Sequence, residues 1–168
     1  MIKKLIWVTA ISWAMTMAAQ AEAPVSMRVA SYQQTVVKDK KGKIKRDKNG
    51  KPIMQWVRAS KVVPGTIIKY VDTITNDSDQ PLMAARVANP IDPNLLFVAG
   101  SATSKVKFGV KYSVDGGKHY DDPQNLFVQD KKGKKVQAQP KHYNAIEFIV
   151  DEVPAKSQVE VSYKVKLK

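Results

Sequence analysis

Two segments of the chain alternate apolar and polar residues with a period of two. Val106, Phe108, Val110, Tyr112 and Val114 occupy every second position, with Lys105, Lys107, Gly109, Lys111 and Ser113 between them. Val159, Val161, Tyr163, Val165 and Leu167 repeat the pattern, separated by Glu160, Ser162, Lys164 and Lys166. Successive side chains of a strand point to opposite faces, so each segment predicts one face on a core and the other in water, as in an antiparallel sheet. Ile68, Tyr70 and Ile74 mark a third apolar face, interrupted by Asp72. Helical spacing is not sustained beyond the first twenty or so residues. Turn signals punctuate the strands at Pro64-Gly65, Asn76-Asp77-Ser78-Asp79, Asp115-Gly116-Gly117 and Pro154-Ala155-Lys156-Ser157. Short strands with regular punctuation predict an all-β sandwich or barrel. Phe108, Val110, Tyr112, Val161, Tyr163 and Val165 are expected to face inward, with Trp56 and Tyr70 in or beside the same core.

One stretch breaks the alternation. Residues 38–51 read KDKKGKIKRDKNGK, eight Lys or Arg against Asp39 and Asp47, a local surplus of six positive charges. Asp39-Lys40-Lys41-Gly42-Lys43 and Asp47-Lys48-Asn49-Gly50-Lys51 are two copies of one pattern, and Asp130-Lys131-Lys132-Gly133-Lys134 is a third. An Asp able to hydrogen-bond back to the backbone, followed three residues later by a Gly that tolerates positive φ, suits a hairpin turn. The residues flanking the copies do not match, so this is shared turn chemistry and not a repeat architecture. Ordered hairpins and a flexible protrusion both satisfy this composition, since runs of like charge are often disordered.

The order of features from Trp56 to the C-terminus carries a resemblance. Pro64-Gly65 leads to a strand containing Tyr70 and ending at Asn76; a polar turn, a second strand, Asn89-Pro90 and an aromatic strand closing at Gly100-Ser101 follow. Tyr112-Ser113-Val114-Asp115-Gly116-Gly117, then Ala138 and Pro140 before a strand, continue it. This order resembles a bacterial cell-envelope conserved repeat domain of unknown function, present here as a single copy. The resemblance implies an immunoglobulin-like antiparallel β-sandwich of the kind used in surface and envelope proteins, and implies no reaction.

The N-terminal residues bear on compartment. Lys3-Lys4, an apolar run from Leu5 to Ala19 and the small residues of Ala19-Gln20-Ala21 form a signal-peptide pattern with cleavage expected after Ala21. The apolar run is shorter than the roughly 20 residues a spanning helix needs, so a removed signal is expected in place of a transmembrane anchor. The expected organisation is a signal peptide over 1–21 and one Ig-like domain over 22–168, carrying the basic hairpin insertion at 38–51. The chain has no cysteine, which rules out both disulfides and a lipidated cysteine. Its formal net charge is +13, and loss of Lys3 and Lys4 takes it to +11. Such an excess favours anionic partners. For an exported protein, periplasmic or extracellular, these are acidic glycans, anionic lipid headgroups and wall polymers, with nucleic acid a poor candidate.

The candidate chemistry is therefore binding. An anion-binding patch is expected at Lys40, Lys41, Lys43, Lys45, Arg46 and Lys48, against the alternative that these lysines only keep exposed turns soluble and discourage edge pairing. Asp72 shares the face of Ile68, Tyr70 and Ile74, and a carboxylate there needs partners or a raised pKa. It is expected to bond backbone or Tyr and Thr hydroxyls, with cation ligation alongside Asp77 or Asp79 the alternative. Asn76 and Asn89 read as turn residues, Asn89 because it precedes Pro90. Asp121 and Asp122 are loop carboxylates that calcium chemistry would also accept. No catalytic constellation is expected. His119 and His142 are the two histidines and do not make a three-ligand zinc site. No Gly-x-Ser-x-Gly elbow or glycine-rich phosphate motif occurs, and Asp151 and Glu152 point apart if extended. No cofactor or metal is implied, and the expected partner is an envelope protein or an anionic envelope polymer.

Overall fold

The structure, a computed structural model, describes residues 24–168; the expected signal peptide and its cleavage point lie outside the described residues. Among the described residues eleven strands are formed: β1 (Val25–Val36), β2 (Met54–Arg58), β3 (Ile67–Asn76), β4 (Leu82–Pro90), β5 (Leu95–Phe97), β6 (Thr103–Ser104), β7 (Phe108–Ser113), β8 (Phe127–Gln129), β9 (Lys135–Gln137), β10 (Ala145–Val153) and β11 (Ser157–Leu167). The only helical segments among the described residues are single 3-10 turns at Pro123–Asn125 and Pro140–His142. One sheet runs β2-β1-β3-β11-β5, with β6 also on β11; the second runs β4-β10-β7, and β8 and β9 form a separate hairpin. Every pairing between these strands is antiparallel. The described residues form an all-β antiparallel sandwich, with the lysine-rich segment 38–51 inserted as hairpin turns between β1 and β2.

The two sheets enclose one apolar core. Ile68 and Ile74 of β3, Val159, Val161, Tyr163 and Val165 of β11, and Ile146, Phe148 and Val150 of β10 are buried in it. Aromatic rings stitch the layers: Phe148 lies 6.1 Å from Tyr163, which stacks on Tyr70 at 5.4 Å, and Phe108 lies 5.9 Å from Phe148. Tyr112, Tyr163 and the valines of β11 are inward and buried as their alternation predicts, while Phe108 and Val110 are only half-buried, on the edge strand β7.

Two details depart from the sequence expectation. Trp56 is on the outer surface of the first sheet and outside the core. β2 is a five-residue edge strand, and Trp56 pairs with Gln34 and lies beside the outward Lys69 and Lys164. Asn89 is not a turn residue: it is the penultimate residue of β4 and is buried. β4 is an edge strand, where a proline such as Pro90 is tolerated. β10 does not alternate, because Ala145 and Glu147 are buried beside Ile146 and Phe148. Arg86 Nη1 lies 3.5 Å from Glu147 Oε1, so the far side of β10 is covered at this end too.

The first sheet is wider than the second. On β1, Val25, Met27 and Val29 pair with Asn76, Ile74 and Asp72 and so share the core-facing side, yet Met27 and Val29 are 49% and 52% exposed. The overhang leaves an open groove of about 450 Å³ between β1 and β4.

Candidate anion-binding face

The basic insertion is ordered as two successive hairpin turns that continue the β1–β2 pair. Val37 N–H donates to Ile53 O (2.8 Å), Lys45 N–H to Val37 O (2.9 Å) and Ile53 N–H to Lys45 O (2.9 Å), so the backbone at Lys45 links the outgoing and returning chain. In the first turn Asp39 Oδ1 accepts from the N–H groups of Lys41 and Lys43, both at 2.9 Å. In the second, Asp47 Oδ1 accepts from Asn49 (2.8 Å) and Lys51 (2.9 Å). Asp130 does the same for Lys132 and Lys134 in the β8–β9 hairpin. Gly42 and Gly50 sit at φ +79° and +78°, a region that costs any residue with a Cβ, which is why the pattern requires glycine there.

These turns determine the local electrostatics. Both carboxylates of the insertion are held by backbone donors and make no ion pair with a lysine; none of the salt bridges among the described residues reaches residues 38–51. Lys40, Lys41, Lys43, Lys45, Arg46 and Lys48 are all exposed. Arg46 differs from the other five, since its Nη1 donates to Gly50 O at 2.8 Å and so braces the second turn.

The outer face of the first sheet carries the charge onward. Arg58 pairs with Tyr32, Tyr32 with Lys69, and Lys69 with Lys164, so four strands contribute one transverse row. The Arg58 guanidinium carbon is 5.0 Å from the centre of the Tyr32 ring; Lys69 Nζ and Lys164 Nζ are 6.0 and 5.7 Å from the Trp56 ring. Sequence reasoning missed this row because its members come from four distant segments, each holding one unremarkable basic or aromatic residue. The third lysine turn, at Asp130, belongs to the β8–β9 hairpin, where Lys135 lies over Phe127 at 4.5 Å.

The remaining candidates have structural partners. Asp72 is fully buried; Asn89 Nδ2 donates to its Oδ2 at 2.6 Å, while Oδ1 has no partner. Burial raises its pKa, and the Asn89 hydrogen bond opposes the rise only in part. Its partner is thus a side-chain amide from the opposite sheet, not the expected backbone or hydroxyl. Asp79 is 3.0 Å from Lys156 Nζ, so it does not join Asp72 around a cation. Asn76 does organise its turn, accepting from Ser78 and donating to Gln80 O (2.9 Å) and, across to the end of β10, to Val153 O (3.0 Å). Asp121 Oδ1 accepts from the Asp122 N–H and from Asn125, and these bonds hold its pKa below the ordinary carboxyl value. Asp115 is held lower still by His119, Ser113 and backbone donors, with His119 Nδ1 2.6 Å from Oδ2. A cleft of about 510 Å³ beside the Phe97–Tyr112–Tyr143 cluster is bounded by Pro123, Gln137 and Pro140.

No family model and no curated protein matches the chain. Among solved structures it is similar to a protein from Corynebacterium diphtheriae described as membrane-anchored, with 12% identity and a TM-score of 0.46. That match covers 89% of this chain and 29% of the other, so this chain spans less than a third of that protein's length.

Proposed function

We propose that the protein is an exported, non-enzymatic Ig-like module of the cell envelope, periplasmic or extracellular, that contacts an anionic envelope polymer through its lysine-rich double hairpin. The observation that carries this reading is the placement of the two acids of the insertion. Asp39 and Asp47 are turned into the backbone, so the surrounding cations project without carboxylate partners. The signal-peptide pattern and the resemblance to an envelope repeat from Trp56 onward support the compartment.

Exposed charges interact over about 8 Å at physiological ionic strength, so binding of this kind weakens steeply with salt. Replacing Lys40, Lys41, Lys43, Lys45, Arg46 and Lys48 together by Gln keeps Asp39, Gly42, Asp47 and Gly50 and the backbone bonds to both carboxylates, and removes only the Arg46 bond to Gly50 O from the second turn. The variant should keep the wild-type circular dichroism spectrum and lose retention on acidic polysaccharide and on vesicles containing phosphatidylglycerol. Equal, salt-insensitive retention of variant and wild type would leave these lysines as solubilising turns.

A further inference from the structure

The transverse row on the outer face of the first sheet is built against its own stability. Lys69 and Lys164 stand directly opposite one another on β3 and β11. Like charges so placed, with Cβ atoms about 5 Å apart in an antiparallel pair, destabilise a sheet. Neither lysine, nor Arg58 in the same row, has a salt-bridge partner among the described residues. Among the outward positions of β1, β2, β3 and β11 the one acid is Glu160, four residues along β11 from Lys164, or about 13 Å at strand rise. An anion bound from solution would relieve this repulsion.

The aromatic partners indicate the kind of anion. Trp56 reaches from the edge strand across β1 toward both ammonium groups, and Tyr32 lies under the Arg58 guanidinium. Tyr32 and Trp56 are themselves half-buried on a sheet face and do not project as an apolar wedge. A lipid surface engages protruding apolar residues together with a basic flank. A flat aromatic patch between fixed cations instead fits a ring that has an apolar face and carries an acidic group. From Arg58 to Lys164 the row spans three interstrand spacings, about 14 Å, so an extended polymer laid across the strands meets a cation at either end. We propose that this row is the recognition subsite for an acidic polysaccharide. The carboxylate or sulfate of one sugar sits between Lys69 Nζ and Lys164 Nζ with its ring against Trp56, and Arg58 and Tyr32 receive the adjoining unit. This deepens the anionic-polymer reading above and rests on it for the charge supplied by the hairpins.

The test compares polygalacturonate, its carboxyl-reduced neutral form, inorganic polyphosphate, vesicles containing phosphatidylglycerol and single-stranded DNA, using the full exported protein. Wild type should bind polygalacturonate and not the reduced polymer. Lys69→Gln combined with Lys164→Gln should weaken binding about tenfold or more. Trp56→Ala should do the same on polygalacturonate while leaving polyphosphate binding nearly unchanged, and Trp56→Phe should restore most of the affinity. Because Trp56 lies outside the core, a thermal melt of each variant separates lost binding from lost fold. Equal losses on polyphosphate and polygalacturonate overturn the ring-stacking role, as does Trp56→Ala binding like wild type. Preferential binding to vesicles or to single-stranded DNA overturns the polysaccharide assignment. The six-residue hairpin variant keeps the two readings apart: if it loses binding while Trp56→Ala and the double lysine variant do not, the hairpin stands and this subsite falls. The converse result retains the subsite and removes the hairpin.

Discussion

Asp72 and Asn89 show how one residue position couples the sheets to pH. The carboxyl is fully buried, with Oδ2 bonded to the Asn89 amide and Oδ1 unpartnered, so its charged form is disfavoured and its pKa is raised. A raised pKa means that the folded state binds this proton more tightly than the unfolded chain, whose carboxyl titrates near 3.9. Between that value and the folded one, stability from this group falls as pH rises, and the cost of the buried charge is complete above the folded value. Asp115 and Asp121, whose pKa values are lowered, act in the opposite sense but in the window below the unfolded value. Asp72→Asn should therefore flatten the decline in melting temperature as pH rises above the unfolded carboxyl value. Asn89→Ala, which strands the carboxylate, should cost about 1–3 kcal/mol, and more at neutral than at acidic pH. A melting temperature whose pH dependence is the same in Asp72→Asn as in wild type counts against this account. Half of the pair was legible from sequence. Period two put Asp72 on an apolar face, but Asn-Pro carries the signature of a turn, and only the edge position of β4 makes Asn89 an inward strand residue.

At the scale of elements, the alternating strands were readable and the central one was not. β11 and most of β7 follow their pattern because each has one face on the core and the other toward water. β10 is buried on both sides over its first four residues, Ala145 to Phe148, so its sequence, AIEFIVDEV, carries little period-two signal. The consequence for stability is a ranking. Phe148 of β10 is 0% exposed and meets both Phe108 and Tyr163, so Phe148→Ala should cost roughly 3–5 kcal/mol. Phe108, half-buried on the edge strand β7, should cost clearly less, which lowers the expectation that its alternation alone would set. Urea unfolding midpoints of the two variants decide the order, and a larger loss at Phe108 would mean that β7 and not β10 organises the core. The double hairpin belongs at this scale as well. Asp-x-x-Gly-Lys is local chemistry, complete within five residues, so its turn is legible in all three copies. The facing of Trp56 was not, because the parity of a five-residue edge strand between Lys51-Pro52 and Ala59 has no neighbouring apolar repeat to fix it.

Across the whole molecule the formal charge is a property of composition, but its uneven distribution is a property of the fold. β1 pairs Val25 with Asn76 at one end of the first sheet and runs past Gln33, opposite Ile68, into the double hairpin at the other. At the Asn76 end, lysines meet acids: Lys156 Nζ is 3.0 Å from Asp79, and Lys107 Nζ is 2.7 Å from Asp151. At the hairpin end, and in the adjoining row of Arg58, Lys69 and Lys164, the cations have no such partners. The field of a charge distribution this uneven orients an approaching polyanion before contact, an effect that weakens as salt is added. Binding should therefore be polar with respect to the strands. Lysine acetylation followed by peptide mass mapping, with and without polygalacturonate at low salt, should show protection at Lys40, Lys41, Lys43, Lys45 and Lys48. Lys107 and Lys156 should keep their unbound labelling. Raising the salt should erase the protected set first, because its members are the exposed and uncompensated ones. Uniform protection at both ends of the sheet would mean that net charge alone drives the association and that the fold gives it no direction.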